Sequence, residues 1–372
     1  MSLGTKAIGT WSGGRFMNFG EMLDDDRLAA LLRPGLGIDT VFSADVYGEG
    51  EADRLLGQTL SGLDRDFYRL VGAVGHDFQI GERQGAKGFP RFTDPSLREP
   101  DAYADYLRRA TERSLAALGV SRFDLLLLHN PDRIGYESEA VWNGMAALRD
   151  AGLADQIGIA PGPANGFTLD LISCLERFGD RIDWAMIILN PLEPWPGELV
   201  LDAALKADVN VITRVVDYGG LFWGDLGPDT PMGDHDHRRF RPDGWIERGL
   251  ARIERLRGTC GETGLTMMQL ACQWNLAHPA VKCVVPTLIQ EAGADARPIE
   301  DKRRELAGLT ADQRLRGDQV AAIGAIGDNK GTMKLKGASP QHEGPDAPDR
   351  WGLNDALSAA GARYGIDPQR DL

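Results

Sequence analysis

FDLLLLHNP, residues 123–131, decides the architecture: four consecutive leucines from Leu125 to Leu128 lead into His129, Asn130 and Pro131. A strand with one wet face alternates apolar and polar residues, so an unbroken apolar run needs cover on both faces, the condition of a parallel strand within an α/β fold. Working outward, comparable runs occur at KAIGTW (6–11), GIDTVFSA (37–44), YRLVGAVGH (68–76), DQIGIAPG (155–162), WAMIILNP (184–191), VNVITRVV (209–216) and VKCVVP (281–286), eight in all. Between them lie segments of helical periodicity at 25–33, 51–60, 102–119, 139–152, 169–179 and 199–207. Eight strand-helix units predict a single (β/α)₈ barrel. An open doubly wound sheet is the runner-up, but GTWSGGR (9–15) is not the Gly-rich fingerprint expected after its first strand.

The strands recur at the spacing of one βα unit, except after the third and seventh. GERQGAKGFPRFTDPS (81–96) and WGDLGPDTPMGDHDHRRFRPDGW (223–245) fill those gaps. Both follow a strand, which puts them on the carboxyl-terminal rim as candidate lids. Residues 310–326 read as helical, 330–351 as loop and 353–365 as a closing helix, so the expected division is a barrel over 1–326 with 327–372 as an extension packed on it.

Composition narrows the function classes. The 372 residues carry a net charge of −14, which repels a phosphate backbone and argues against nucleic acid as a partner. No run reaches the roughly 18 apolar residues of a membrane span. Cys174, Cys260, Cys272 and Cys283 are widely spaced without a CxxC pair, and no basic stretch precedes an apolar core at the start; both features predict a cytoplasmic protein with reduced thiols. Asp234-His235-Asp236-His237 invites a metal reading, but its spacing matches no closed site, and a solvated, self-paired loop is expected with no metal bound.

GIDTVFSADVYGEGEADRLLG (37–57), FDLLLLHNPD (123–132), IGIA (157–160), LNPLEP (189–194), ITRVVDYGGLFWG (212–224) and LACQWNLAHPAVKCVVP (270–286) resemble, in order, motifs of the aldo-keto reductase superfamily. The resemblance implies NAD(P)-linked carbonyl–alcohol interconversion at the barrel mouth, where an acidic residue, a Tyr, a Lys and a His converge. A cation near the Tyr eases release of its proton and the carboxylate steadies that cation, which is why the chemistry uses the set. Carried over by motif, Tyr47 and His129 are the catalytic candidates. The acidic position falls on Phe42 and the lysine position on Ala73, so two of the four groups are replaced by apolar side chains. Of the neighbouring groups His76, past the end of the third strand, is the best-placed stand-in cation, the alternative being a solvated loop histidine.

Trp11, Phe42, Ala73, His76, Asn130 and Trp223 are expected to line a substrate pocket for a carbonyl or sugar-like small molecule. Asn190, Arg214, Gly219, Gly220, Leu221 and Arg297 are the expected contacts for NADP or NAD. The family's nicotinamide contacts after strands five and six fall on Ala160, Pro161 and Met186, whose side chains offer no useful hydrogen bond, and Thr287 replaces a glycine after strand eight. Two further functions suit the residues: an isomerase, lyase or hydrolase without nicotinamide, using Tyr47 and His129 as acid and base, and a catalytically silent binding barrel.

Overall fold

The computed structural model describes residues 2–85 and 88–372; Ala86 and Lys87 of the first predicted insertion lie outside the described residues. Eight parallel strands follow one another in chain order: β1 (Ala7–Gly9), β2 (Thr40–Phe42), β3 (Arg69–Val74), β4 (Phe123–His129), β5 (Ala154–Ala160), β6 (Trp184–Ile188), β7 (Asn210–Arg214) and β8 (Val281–Val285). Val284 donates its N–H to Thr5 O and pairs in parallel with Lys6, which joins β8 back to β1 and closes the (β/α)₈ barrel.

Helices cover the outside: α1 (Asp25–Leu32), α2 (Glu51–Leu60), α3 (Tyr103–Leu118), the short α4 (Arg133–Glu137), α5 (Glu139–Asp150), α6 (Thr168–Phe178), α7 (Leu201–Lys206), α8 (Trp245–Thr263), α9 (Met267–Leu276) and α10 (Ile299–Ala307). Among the described residues none is long and apolar enough to cross a membrane. Local chemistry sets several ends. Asp24 caps α1 by accepting the Arg27 N–H, Asp132 caps α4 through Gly135, and Thr266 and Gln269 form a reciprocal capping box on α9. Gly57 on α2 lets that helix approach α3 closely, since a Cβ there would stand 2.7 Å from Ala117 O.

Strand alternation divides the core in two. Outward side chains join the helices in one large cluster, whereas Ala7, Phe42, Ala44, Val71, Ala73, Leu125, Leu127, Ala160, Trp184, Met186, Ile212, Cys283 and Val285 fill the barrel interior. The interior is therefore packed, and chemistry is confined to its carboxyl-terminal mouth.

Beyond the barrel the chain continues through α11 (Gly317–Gly327), a two-stranded parallel ladder of β9 (Gly337–Ser339) and β10 (Arg350–Gly352), α12 (Asp355–Arg363) and α13 (Pro368–Asp371). The helix expected over 310–326 begins seven residues later, at Gly317. Residues 310–316 form instead a connection pinned by Gln273, whose side chain donates to Asp312 O and accepts from Arg314 N.

Candidate active site

The mouth is built on the last residues of the strands. β2 ends at Phe42 and β4 at His129, the latter in register with Ala160 at the end of β5. Trp11 lies across Gly9, where any Cβ would strike its ring, and meets Phe42 edge-on with centroids 5.9 Å apart. Tyr47 is half-buried over the interior cluster and stands edge-to-face with His129, centroids 5.7 Å apart at 89°. Sequence reasoning thus placed Trp11, Phe42, Ala73, Tyr47 and His129 in one neighbourhood, and the structure brings them there.

His129 is a neutral imidazole. Burial pushes its pKa far below the usual histidine range, reinforced by His76 and by the Arg91 and Arg214 guanidinium charges. Its Nδ1 is enclosed without a partner. A buried lone pair left unpaired costs less than a buried N–H left unpaired, so the proton belongs on Nε2. Tyr47 is also neutral near pH 7: burial raises its pKa and the Arg214 charge partly offsets that rise.

His76 is not the replacement cation. It is buried with its ring centroid 5.2 Å from that of His129, and burial, then Arg91, pushes its pKa down to about 3. Its Nδ1–H donates to Phe89 O at 2.9 Å and its Nε2 accepts from the Asn130 amide at 3.1 Å. The correction has a physical cause: the first insertion folds back over the end of β3, His76 pairing antiparallel with Arg91, and removes the imidazole from water.

That insertion brings a residue that sequence reasoning missed. Arg91 is 9% exposed; its Nε donates to Asn130 O and its Nη1 to Phe89 O at 3.4 Å. No carboxylate pairs with it among the described residues. The available signal was an arginine between apolar neighbours, Pro90 and Phe92, but its partners are main-chain carbonyls. A second guanidinium, Arg214 at the end of β7, donates through Nη2 to Pro161 O (3.2 Å) and Gly162 O, and it too lacks a carboxylate partner among the described residues.

The predicted cofactor residues divide sharply. At the ring end, the Nε and Nη1 of Arg214 have no partner among the described residues, and Ala160 and Met186 form an apolar wall of the barrel interior. A flat ring carrying an amide fits that combination on the mouth side. Behind Arg214 the cavity lined by Pro161, Gly162 and Met186 holds only about 20 Å³.

At the phosphate end the expected residues are engaged within the protein. Asn190 is fully buried and spent locally: its amide donates to Glu193 Oε2 and Val215 O, and its Oδ1 accepts from Leu192 N. Leu221 is core. A Cβ on Gly220 would stand 2.8 Å from Glu291 Oε1, and one on Gly219 would stand 3.2 Å from Arg241 and Trp245, so both glycines serve close packing. Arg297 is tied to Trp223 O and Glu305. Trp223 is 2% exposed with its indole N–H on Thr287 O, so it is a wedge between the loops after β7 and β8 and not a pocket wall. The second insertion explains the pattern: buried Arg238 is clamped between Asp236 and Glu291, which takes Asp236 out of any metal reading and zips these loops together.

A closed parallel barrel with a tyrosine and a histidine edge-to-face at the carboxyl ends of its strands has the architecture of a barrel enzyme. The model of the aldo/keto reductase family matches residues 1–296, and the chain belongs to that family and is an oxidoreductase of it. It is 28% identical over 254 residues to a 6-dehydroglucose reductase of Agrobacterium fabrum, covering 68% of this chain and 73% of the relative. Among solved structures it resembles the glycerol dehydrogenase of Gluconobacter oxydans (TM-score 0.66, 22% identity, 88% of this chain and 92% of that one). It also resembles an aldo/keto reductase of Klebsiella pneumoniae in complex with NADP and acetate (TM-score 0.57, 21% identity, 87% and 91%).

Proposed function

We propose that the chain interconverts a carbonyl and an alcohol on a small, sugar-like substrate in the cytoplasm, with NADP or NAD as redox partner. The observation that carries this reading is the edge-to-face Tyr47–His129 pair at the mouth of the family's barrel. The four free cysteines are in keeping with a reducing compartment.

In the direction of reduction, the carbonyl oxygen lies between Tyr47 Oη and His129 Nε2. His129 donates a hydrogen bond from Nε2–H and fixes the oxygen. Tyr47, its phenol neutral, gives up its proton to that oxygen as negative charge develops there, and Arg214 stabilises the phenolate left behind. Arg214 thus takes the electrostatic place of the lysine replaced by Ala73, from the opposite side of the mouth. Arg214 would hold the ring end of a nicotinamide, which would supply hydride for reduction and accept it in oxidation. In oxidation the proton moves from the alcohol to the Tyr47 oxygen.

Titration with NADPH and NADH, followed by energy transfer from the protein's tryptophans, tests the redox half. Saturable binding of one of them below about millimolar is expected; no binding at that concentration would remove nicotinamide chemistry from the reading.

A further inference from the structure

We infer that the substrate carries a carboxylate, and that Arg91 reads it. This rests on the mouth around Tyr47 and His129 being the substrate site. Arg91 is more than nine-tenths enclosed, yet its contacts are two carbonyl oxygens, Asn130 O and Phe89 O, and the edge of a neutral imidazole, with Nη1 3.3 Å from His76 Nδ1. Asp132 and Asp349 act on it electrostatically, but no carboxylate among the described residues reaches it at ion-pair distance, and a guanidinium taken out of water without a bonded anion is costly. Arg238 has Asp236 and Glu291, Arg241 has Glu193 and Arg98 has Asp77, whereas Arg303 and Arg214, like Arg91, are held by main-chain carbonyls.

His76 stands between Arg91 and His129, which puts the guanidinium one ring away from the reacting position. The carbonyls hold Nε and Nη1, while Nη2 has no partner among the described residues and is not one of their fully enclosed unpaired atoms. The clamp is preorganised on three sides. Asn130, in the left-handed region at φ 47°, turns its carbonyl to Arg91 and its amide to His76, and His76 is anchored through Phe89. The charge of Arg91 acts on His129, the residue placed at the reacting oxygen. One open guanidinium nitrogen suits a singly charged carboxylate better than a phosphate dianion, which needs more donors. A carbonyl acid or hydroxy acid that spans from Tyr47 and His129 to Arg91 would answer both ends of the mouth. A sugar acid belongs to that class.

Calorimetric titration of the full chain without nucleotide, using matched pairs, tests this. Lactate is set against lactamide and glucuronate against glucose, with glycerol phosphate as a third arm. At least one acid should bind about tenfold more tightly than its neutral partner. Arg91→Gln should abolish that preference and leave the neutral compound's affinity unchanged, whereas Arg91→Lys should retain part of it. Acids that bind no better than their neutral partners, a preference that survives in Arg91→Gln, or tight binding by glycerol phosphate alone would each overturn the proposal. Because nucleotide is absent, failure of NADPH binding strikes the redox reading and leaves this result standing. The acid–neutral comparison on the unaltered chain holds even if a variant fails to fold.

Discussion

Tyr47 is the narrowest test of the mouth. The phenol oxygen delivers the proton in the proposed reaction and makes no hydrogen bond among the described residues, so Tyr47→Phe removes chemistry without disturbing packing. Turnover should fall by about 10²- to 10⁴-fold with an unchanged melting temperature. A smaller loss would move the proton donor elsewhere.

His76 makes a prediction about stability. Its folded pKa, about 3, lies below the unfolded value of about 6.5, so on acidification the unfolded chain takes up a proton that the folded one refuses. Stability from this group is complete above about pH 6.5 and is lost progressively toward pH 3. Between pH 7.5 and 5 the parent should lose about 2 kcal/mol more than His76→Gln, which cannot titrate; urea unfolding at the two pH values measures the difference. Equal losses would mean that His76 is not held neutral. At this scale the sequence was only partly readable. Tyr47 and His129 sit in recognisable motifs, but Arg91 is gripped by Asn130 O and Phe89 O, acceptors that every residue possesses.

At the level of elements, the strands were legible because each is buried on both faces and leaves a continuous apolar run. The helices within the long gap after β7 and just past β8 were harder. α8 buries Trp245, Ile246, Ile253 and Leu256 on one face but is interrupted by Gly249, Gly258 and Gly261, and α10 (IEDKRRELA) is mostly charged. Lys302 and Arg303 on α10 are nonetheless buried, the first on Asp225 and Ile289 O, the second on the carbonyls of Leu31 and Arg33. The second insertion was rightly located on the rim, but its role depends on a buried ion cluster that spacing could not show. Arg238→Ala would leave Asp236 and Glu291 enclosed and uncompensated, and should cost about 3–5 kcal/mol in urea unfolding. Replacing the arginine and both carboxylates together with apolar residues should recover most of that loss. If the single variant is nearly neutral, the loops after β7 and β8 are not held by this cluster.

For the whole molecule, the contacts bear on the expectation that residues 327–372 are an extension and not a second domain. The segment has little core of its own, and its bonds run to the barrel's rim. Phe167 N donates to Lys336 O, Ala338 N to Asp170, and Trp351, 1% exposed, packs with Tyr136 and Phe167 and donates its indole N–H to Asp170 Oδ1 at 2.8 Å. Asn329 bonds both Trp195 N and Trp195 O, and the Trp195 indole reaches Asp371 O. Tyr136 and Phe167 belong to the loops after β4 and β5 that carry Asn130 and Pro161, so the extension braces the same side of the mouth that Arg91 and Arg214 grip. Trp351→Ala should cost about 3–5 kcal/mol from the cavity, and more where Asp170 loses its donor. A chain ending at Ile326 should melt in a single transition at least about 10 °C lower, or fail to stay soluble, and any residual turnover should show a raised KM, because the loops that hold the two arginines have lost their brace. Full thermal stability and unchanged KM in that truncated chain would show that the barrel and its mouth are complete without residues 327–372.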